Sequence, residues 1–423
     1  MSHLLDEIVL AQKQGQARGI PSICSAHPWV LKTALRGEIP ILVEATCNQV
    51  NQLGGYTGMT PADFVRFVQG IAAENGLPPE RLILGGDHLG PSPWQDCPME
   101  HAMQQAFEMV QAYVKVGFTK LHLDASMKLG DDDASRPLDY ELVARRTAFL
   151  AKAAEAVTEP ATAPRYIIGS EVPLPGGAII HEQGVSVTTV ESARRTVETT
   201  QAAFVEAGIE AAWERVTAVV VQPGVEFGDD FILDYKPEAA RGLAHFSETT
   251  PFVFEAHSTD YQRRENLRSL VRDHFAILKV GPALTFAFRE AVFALAMMED
   301  ELFPVDERSH LVETLDRSMQ REPDHWKKHY HGNEPELAFA RKYSLSDRIR
   351  YYWHDPNVQA ALRKLMANLA GAPLPLSLIS QYLPDIYPGI RSGVIAASAS
   401  QIVHHRIRSV LDDYSFACGE IGK

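Results

Sequence analysis

The sequence predicts a (β/α)8 TIM barrel with a C-terminal helical subdomain packed against it. Three observations lead there. Eight short β-rich runs recur up to Lys279. Amphipathic helical stretches separate them, an order that gives right-handed βαβ units and a parallel sheet. Each run also ends in a residue able to do chemistry, and a closed barrel brings such ends to one rim.

The runs are Pro21–Ala26, Pro40–Glu44, Arg81–Gly86, Thr119–Asp124, Arg165–Glu171, Val216–Gln222, Pro251–His257 and Phe275–Lys279. Most are continuously apolar, such as Ile41-Leu42-Val43 and Ala218-Val219-Val220-Val221. Strands buried on both faces read this way. Between them, Thr60-Pro61 opens a helix as N-cap and first-turn proline. Met99, Met103, Phe107, Val110 and Val114 form a helical stripe that stops at Gly117. Ser192–Ala207 and Thr285–Met298 also read as helices. Eight units fit a barrel, which typically takes about 250 residues. A doubly wound open sheet is the competing layout.

The strand ends favour the barrel. They are His27, Glu44, Asp87-His88, Asp124, Glu171, Gln222, Glu255 with His257, and Lys279. Loop punctuation alone would be rich in Asn, Asp, Gly and Ser. After residue 300 the β runs stop, and aromatic and charged helical sequence follows. The expected division is therefore 1–300 for the barrel and 301–423 for the helical subdomain.

Composition narrows the function classes. Apolar residues make up 45% and charged residues 22% of 423, ordinary values for a folded soluble protein. Acidic residues outnumber basic ones by 54 to 40, and Arg263-Arg264 and Arg341-Lys342 are isolated pairs. Neither feature suits a phosphate-backbone binder, so no nucleic-acid partner is expected. No membrane association is expected either, since apolar stretches such as Ala291–Met298 are too short to span a bilayer. The N-terminus lacks a secretory pattern, and the four cysteines show neither C-x-x-C spacing nor a disulfide framework. A cytoplasmic location follows as the expectation.

Several long motifs resemble the GatZ/KbaZ family. They are Gly85-Gly86-Asp87-His88-Leu89-Gly90-Pro91, Asn48-Gln49-Val50-Asn51-Gln52 with Gly54–Gly58, Leu123–Met127, Glu255–Tyr261, Asp273–Ala283 and Tyr343–Trp353. The resemblance spans nearly the whole chain. It implies a non-catalytic subunit of class II D-tagatose-1,6-bisphosphate aldolase, within tagatose and galactitol catabolism. Some family members carry an older tagatose-6-phosphate kinase label, and others are described as hexulose-6-phosphate 4-epimerases.

A more distant resemblance links the rim to zinc-dependent class II aldolases. It implies a proton-transfer role for Asp87 and zinc ligation by His88 and His257. Asp124-Ala125-Ser126 is similar to their fourth-strand motif, and Glu171 before Gly176-Gly177 to their fifth. Two positions depart. Gln222 stands where a sixth-strand zinc histidine would fall, and Ser258-Thr259-Asp260 replaces a phosphate-holding Gly-Gly-Ser.

The resulting candidates are Asp87, Asp124 and Glu171 for acid–base work, since paired carboxylates with split pKa values can do both jobs. The metal candidates are His88, His257, Glu171 and Glu255. Two imidazoles suit Zn²⁺, with Mg²⁺ or Mn²⁺ open if oxygens dominate. His27, Glu44, Asn48, Gln49, Gln222 and Lys279 are the substrate-binding candidates, because a polyol needs many donors and acceptors. Lys279 reads as a structural or anion-holding cation rather than a Schiff-base lysine. Ser346, Arg348 and Arg350 are candidates to reach over the rim.

No G-x-x-x-x-G-K-[ST] loop and no G-x-S-x-G elbow occurs. Kinase and serine-hydrolase readings are therefore set aside. Two readings remain. The chain is either a metal-dependent enzyme that inverts C4 of a phosphorylated ketohexose by retro-aldol chemistry, or an inactive accessory subunit that stabilises a catalytic aldolase subunit. Self-association is left open.

Overall fold

The computed structural model describes residues 3–36, 40–169, 185–371 and 373–419. Eight parallel strands close into a barrel. They are β1 Ile20–Cys24, β2 Ile41–Thr46, β3 Leu82–Leu89, β4 Lys120–Leu123, β5 Arg165–Ile168, β6 Val216–Val220, β7 Val253–Ala256 and β8 Phe275–Val280. Pairing of β1 with β8, Ser22 opposite Lys279, closes the ring and rules out the open doubly wound sheet. Number and order of barrel strands match the sequence expectation. One difference matters: β3 continues past Gly86, so Asp87 and His88 lie within the strand. A two-residue ribbon, Glu226–Phe227 against Ile232–Leu233, carries too short a pattern to be read from sequence.

Side chains alternate across each strand. One set packs outward on the helices, as Ile41 and Val43 do; the other points into the barrel. The inward set starts apolar. Ile20, Leu42, Ile83, Ile167, Val253 and Ile277 form one cluster with Leu5 and Ile8 of the helix Leu4–Lys13. That helix, capped by His3 Nδ1, plugs the N-terminal mouth.

The surrounding helices follow their sequence signals. Thr60 and Asp63 form a capping box at the start of helix Pro61–Glu74. Helix Met99–Lys115 stops at Gly117, whose φ of 96° suits glycine. Beyond helix Pro282–Leu302, the described residues form helices and turns. Helix Ala399–Cys418 returns to the barrel wall. Thr33 Oγ1 lies 2.7 Å from His404 Nδ1, and Gly19 N–H donates to the Cys418 carbonyl at 2.9 Å. The 3-10 turn Arg348–Tyr352 reaches the C-terminal mouth, placing Arg350 and Tyr351 there. Among the described residues, no helix is long and apolar enough to cross a membrane.

Candidate active site

Two residues beyond the apolar plug, the inward positions become ionic. Lys120 Nζ sits 2.6 Å from Glu44 Oε1 and 2.7 Å from Glu255 Oε2. Lys279 Nζ sits 2.6 Å from both Glu44 Oε2 and Asp87 Oδ1. All five side chains are buried. Gly85 makes room for the network, because a Cβ there would lie 2.7 Å from Glu44 Cγ. Both lysines gain rather than lose basicity. Burial opposes their charge, but Glu255 and Glu44 outweigh it at Lys120, and Asp87 with Glu44 at Lys279.

Above this layer stand three imidazoles. Ring centroids are 5.0 Å apart for His88 and His122, 4.9 Å for His88 and His257, and 5.1 Å for His122 and His257. The backbone brings adjacent Asp87 and His88 to one place through a β-bulge. Register shifts between Gly86 and Leu89, and His88 adopts φ 47°. A bulge breaks the usual alternation, so neighbours can face the same side.

Carboxylates orient the rings. His88 Nδ1 lies 2.8 Å from Asp124 Oδ2, and His257 Nε2 lies 2.9 Å from Glu255 Oε1. An ionised carboxylate only accepts, so these nitrogens carry the protons. In the neutral rings the lone pairs then lie on His88 Nε2 and His257 Nδ1. His122 Nδ1 lies 3.0 Å from Asp87 Oδ1, a charge-assisted contact that outweighs the His88 backbone N–H at 3.2 Å. Among the described residues, buried His122 Nε2 has no hydrogen-bond partner.

Electrostatics keeps the carboxylates ionised. Burial would raise Asp87, yet His88 and Lys279 hold it well below the usual range. Burial is likewise outweighed at Asp124 by His88, and at Glu255 by Lys120 and Lys279. Burial pushes His257 down to about 3, keeping the ring neutral. His88 moves up instead, since Asp87 and Asp124 overcome the burial that would lower it.

A divalent cation fits this donor set. One ligand atom each from Asp87, His88, His122 and His257 lies within 4.8 Å of the others. Four buried carboxylates, Glu44, Asp87, Asp124 and Glu255, face two ammonium groups. The excess of two negative charges is what a divalent ion neutralises. Imidazole with a backing carboxylate is the usual arrangement of a metal-bound histidine.

The centre opens into a cleft of about 670 Å³, counting its mouth, lined by Asn48, Gln49, Tyr56, Asp260, Arg350 and Tyr351 among others. Beside it lies an annex of about 1050 Å³ bordered by His27, Phe67, Trp353 and His354. Gln49, Tyr56 and Arg350 line both. Tyr56 and Tyr351 meet edge to face at 4.7 Å, and Arg350 Nη2 donates to Tyr351 Oη at 2.9 Å.

The structure thus brings Asp87, His88, Asp124, Glu44, Glu255, His257 and Lys279 together, with Asn48 and Gln49 at the mouth. Several roles change. Glu255, expected to bind metal, instead braces His257 and Lys120. Asp124 is held by His88 and by the Ser126 hydroxyl and backbone N–H. Glu44 and Lys279 neutralise each other, although Lys279 also borders the cleft. Gln222 turns onto its own loop, accepting from Gly224 and Val225 N–H groups at 2.8 and 3.1 Å. His27 borders the annex rather than the cleft. Glu171 and Gly176-Gly177 lie outside the described residues. Arg350 reaches the cleft, whereas Ser346 is buried against Asp229, Tyr330 and Ser344. Arg348 donates to the His325 carbonyl.

Sequence reading missed His122 and Lys120. Both belong to β4 itself rather than to the polar residues where apolar runs stop. The signal was present: Lys120, His122 and Asp124 alternate with Leu121 and Leu123, a period of two.

Comparison with known proteins places the chain in a family. Residues 5–419 match the family described as D-tagatose-1,6-bisphosphate aldolase subunit GatZ/KbaZ-like. Proteins named D-tagatose-1,6-bisphosphate aldolase subunit GatZ from Salmonella heidelberg and Salmonella typhimurium are each 51% identical over 420 residues, 98% of this chain and 99% of theirs. A Sinorhizobium meliloti 1021 crystal structure titled as a probable tagatose 6 phosphate kinase superposes with TM-score 0.87 at 47% identity. It covers 95% of this chain and all of that one. With a match this long and identity this high, the chain belongs to the GatZ/KbaZ-like family of D-tagatose-1,6-bisphosphate aldolase subunits.

Proposed function

We propose that this chain is a GatZ-like subunit whose barrel holds its own divalent metal, zinc by its donor set, and inverts C4 of a ketohexose 6-phosphate. Tagatose 6-phosphate and fructose 6-phosphate are the pair such chemistry links. The observation that carries the reading is the three-imidazole centre with its unpartnered, buried His122 Nε2. An accessory subunit has no need of buried lone pairs converging at an open cleft.

Inversion at C4 proceeds by cleavage of the C3–C4 bond, rotation of the released aldehyde and re-addition to its other face. His88, His122 and His257 would hold the divalent ion, which when bound would supply electrostatic stabilisation of charge on the ketose oxygens, a contribution of several kcal/mol. Asp124 and Glu255 fix two of the rings. Asp87, whose Oδ1 is held by Lys279 and His122, borders the cleft as the acceptor of the 4-hydroxyl proton, which it then returns. The annex gives the aldehyde room to turn. Arg350, at the boundary of cleft and annex, is the cation for the 6-phosphate.

The test is metal content together with NMR of the sugar pool. Purified chain should carry about one equivalent of divalent metal and interconvert the two 6-phosphates. The relatives' name of subunit favours a second reading, in which the chain assists a class II aldolase catalytic partner. Metal-free, inactive chain that raises the activity of a co-expressed aldolase subunit would establish that reading instead.

A further inference from the structure

Barrel enzymes commonly hold phosphate on the loops after the seventh and eighth strands, at a helix N-terminus. Here that place is taken. Asp260, in the loop after β7, sends Oδ1 to the backbone N–H groups of Gly281 and Ala283, at 3.0 and 2.8 Å. These belong to the start of helix Pro282–Leu302, the long helix that follows β8. The carboxylate is not an outlying cap. Asp260 is 4% exposed, three residues beyond His257, and borders the same cleft as His88 and His257. Among the described residues it makes no salt bridge, so backbone donors alone hold it directly.

We propose that Asp260 is a specificity residue, a built-in carboxylate filling the anion position beside the metal centre so that the site accepts a ketose with a free 1-hydroxyl and rejects a 1-phosphate. This rests on the ketose reading above. The argument is one of space and charge. The β7 loop carries both His257 and Asp260, so the substituent next to the ketose carbonyl faces Asp260. A phosphate at C1 would meet a fixed negative charge and find its N–H donors already used. A hydroxyl there finds an acceptor. Burial raises the carboxyl to about 6, against the pull of the Ala283 and Gly281 N–H groups. Keeping a charge there is therefore costly, which an ordinary solvent-exposed cap avoids. The substrate of this subunit then carries one phosphate, at the C6 end, and differs from the bisphosphate in its relatives' name.

The experiment compares Asp260→Ala and Asp260→Asn with wild type, in metal-loaded protein. The probes are inorganic phosphate, fructose 6-phosphate and fructose 1,6-bisphosphate. Wild type and Asp260→Asn, which keeps the position filled, should show no thermal shift with millimolar inorganic phosphate. Asp260→Ala should be stabilised by it, and its preference for 6-phosphate over 1,6-bisphosphate should fall at least tenfold in competitive binding. If Asp260 is only a helix cap, Asp260→Ala loses stability with no phosphate response and unchanged selectivity, and the proposal is overturned. Tight wild-type binding of the bisphosphate overturns it too. If neither sugar binds wild type yet Asp260→Ala still responds to inorganic phosphate, the anion position stands and the ketose reading fails.

Discussion

At the N-terminal end of the barrel, Ile20, Leu42, Ile83, Val253 and Ile277 pack on Leu5 and Ile8. Two residues further along the same strands stand Ser22, Glu44, Gly85, Glu255 and Lys279. The two layers share strands, spacing and burial, yet one is oil-like and the other ionic. Apolar packing is non-directional and tolerates volume-conserving change. Ionic packing stabilises only while every partner is present. Replacing a buried ion pair wholly by apolar groups is often neutral or stabilising, whereas removing one partner is costly. The upper layer is thus a poor device for stability alone. Its lysines and carboxylates position the imidazoles above them.

The largest expected effect lies at the top of this stack. His122→Ala removes one proposed ligand and no ion-pair partner of either lysine. Metal content should fall from about one equivalent to below a tenth, with far-ultraviolet circular dichroism unchanged. Retained metal would show that His122 is not a ligand and that only two imidazoles matter.

One layer down, Lys120→Met takes the shared cation from Glu44 and Glu255, leaving Glu44 to Lys279 and Glu255 to His257. Breaking a buried pair costs about 3–5 kcal/mol. The urea midpoint of metal-free protein should drop accordingly. The triple change Lys120→Met, Glu44→Gln, Glu255→Gln should recover much of it. A single variant as stable as wild type would mean that the ionic layer is no more demanding than the apolar one.

In the plug, Ile8→Ala leaves a cavity, and such changes cost about 2–5 kcal/mol, less where the site can collapse. The first helix forms part of one mouth and can settle, so the low end is expected. Metal content should stay at the wild-type level. Loss of metal here would join the two layers into one cooperative unit.

The same layering explains what was legible in the sequence. Runs such as Ile41-Leu42-Val43 and Ala218–Val221 announce two-sided burial, so the barrel was readable. Asp87, His88 and His257 were readable because they sit where apolar sequence stops. His122 and Lys120 were not, because they sit within a strand, where side chains are ordinarily apolar core. Nor does a sequence show allegiance. Glu255 and Asp124 look like ligands or acids until the structure shows Lys120 and His88 against them. The bulge that turns Asp87 and His88 to one side depends on register with β4, which no local pattern encodes.

The smallest effect tests an imidazole beyond both layers, at the annex, that packs as an apolar ring. His27, after β1, packs at 4.3 Å on Phe288 and at 6.1 Å edge-on to Trp353. Among the described residues, its buried Nδ1 has no hydrogen-bond partner. Burial lowers its pKa to about 3. The unfolded value is about 6.5, so below that pH the unfolded chain takes a proton that the fold refuses. The stability from neutral His27 is complete above pH 6.5 and is lost as pH falls towards 3. The ring is only partly enclosed, so its share at pH 5 is on the order of 1 kcal/mol after discounting for solvent. His3 and His404, both lowered to about 4, add to the same slope. Urea titrations of His27→Gln at pH 7 and pH 5 should therefore show a shallower loss than wild type by about that amount. An equal or steeper loss would place His27 with the charged rim residues rather than with the apolar wall.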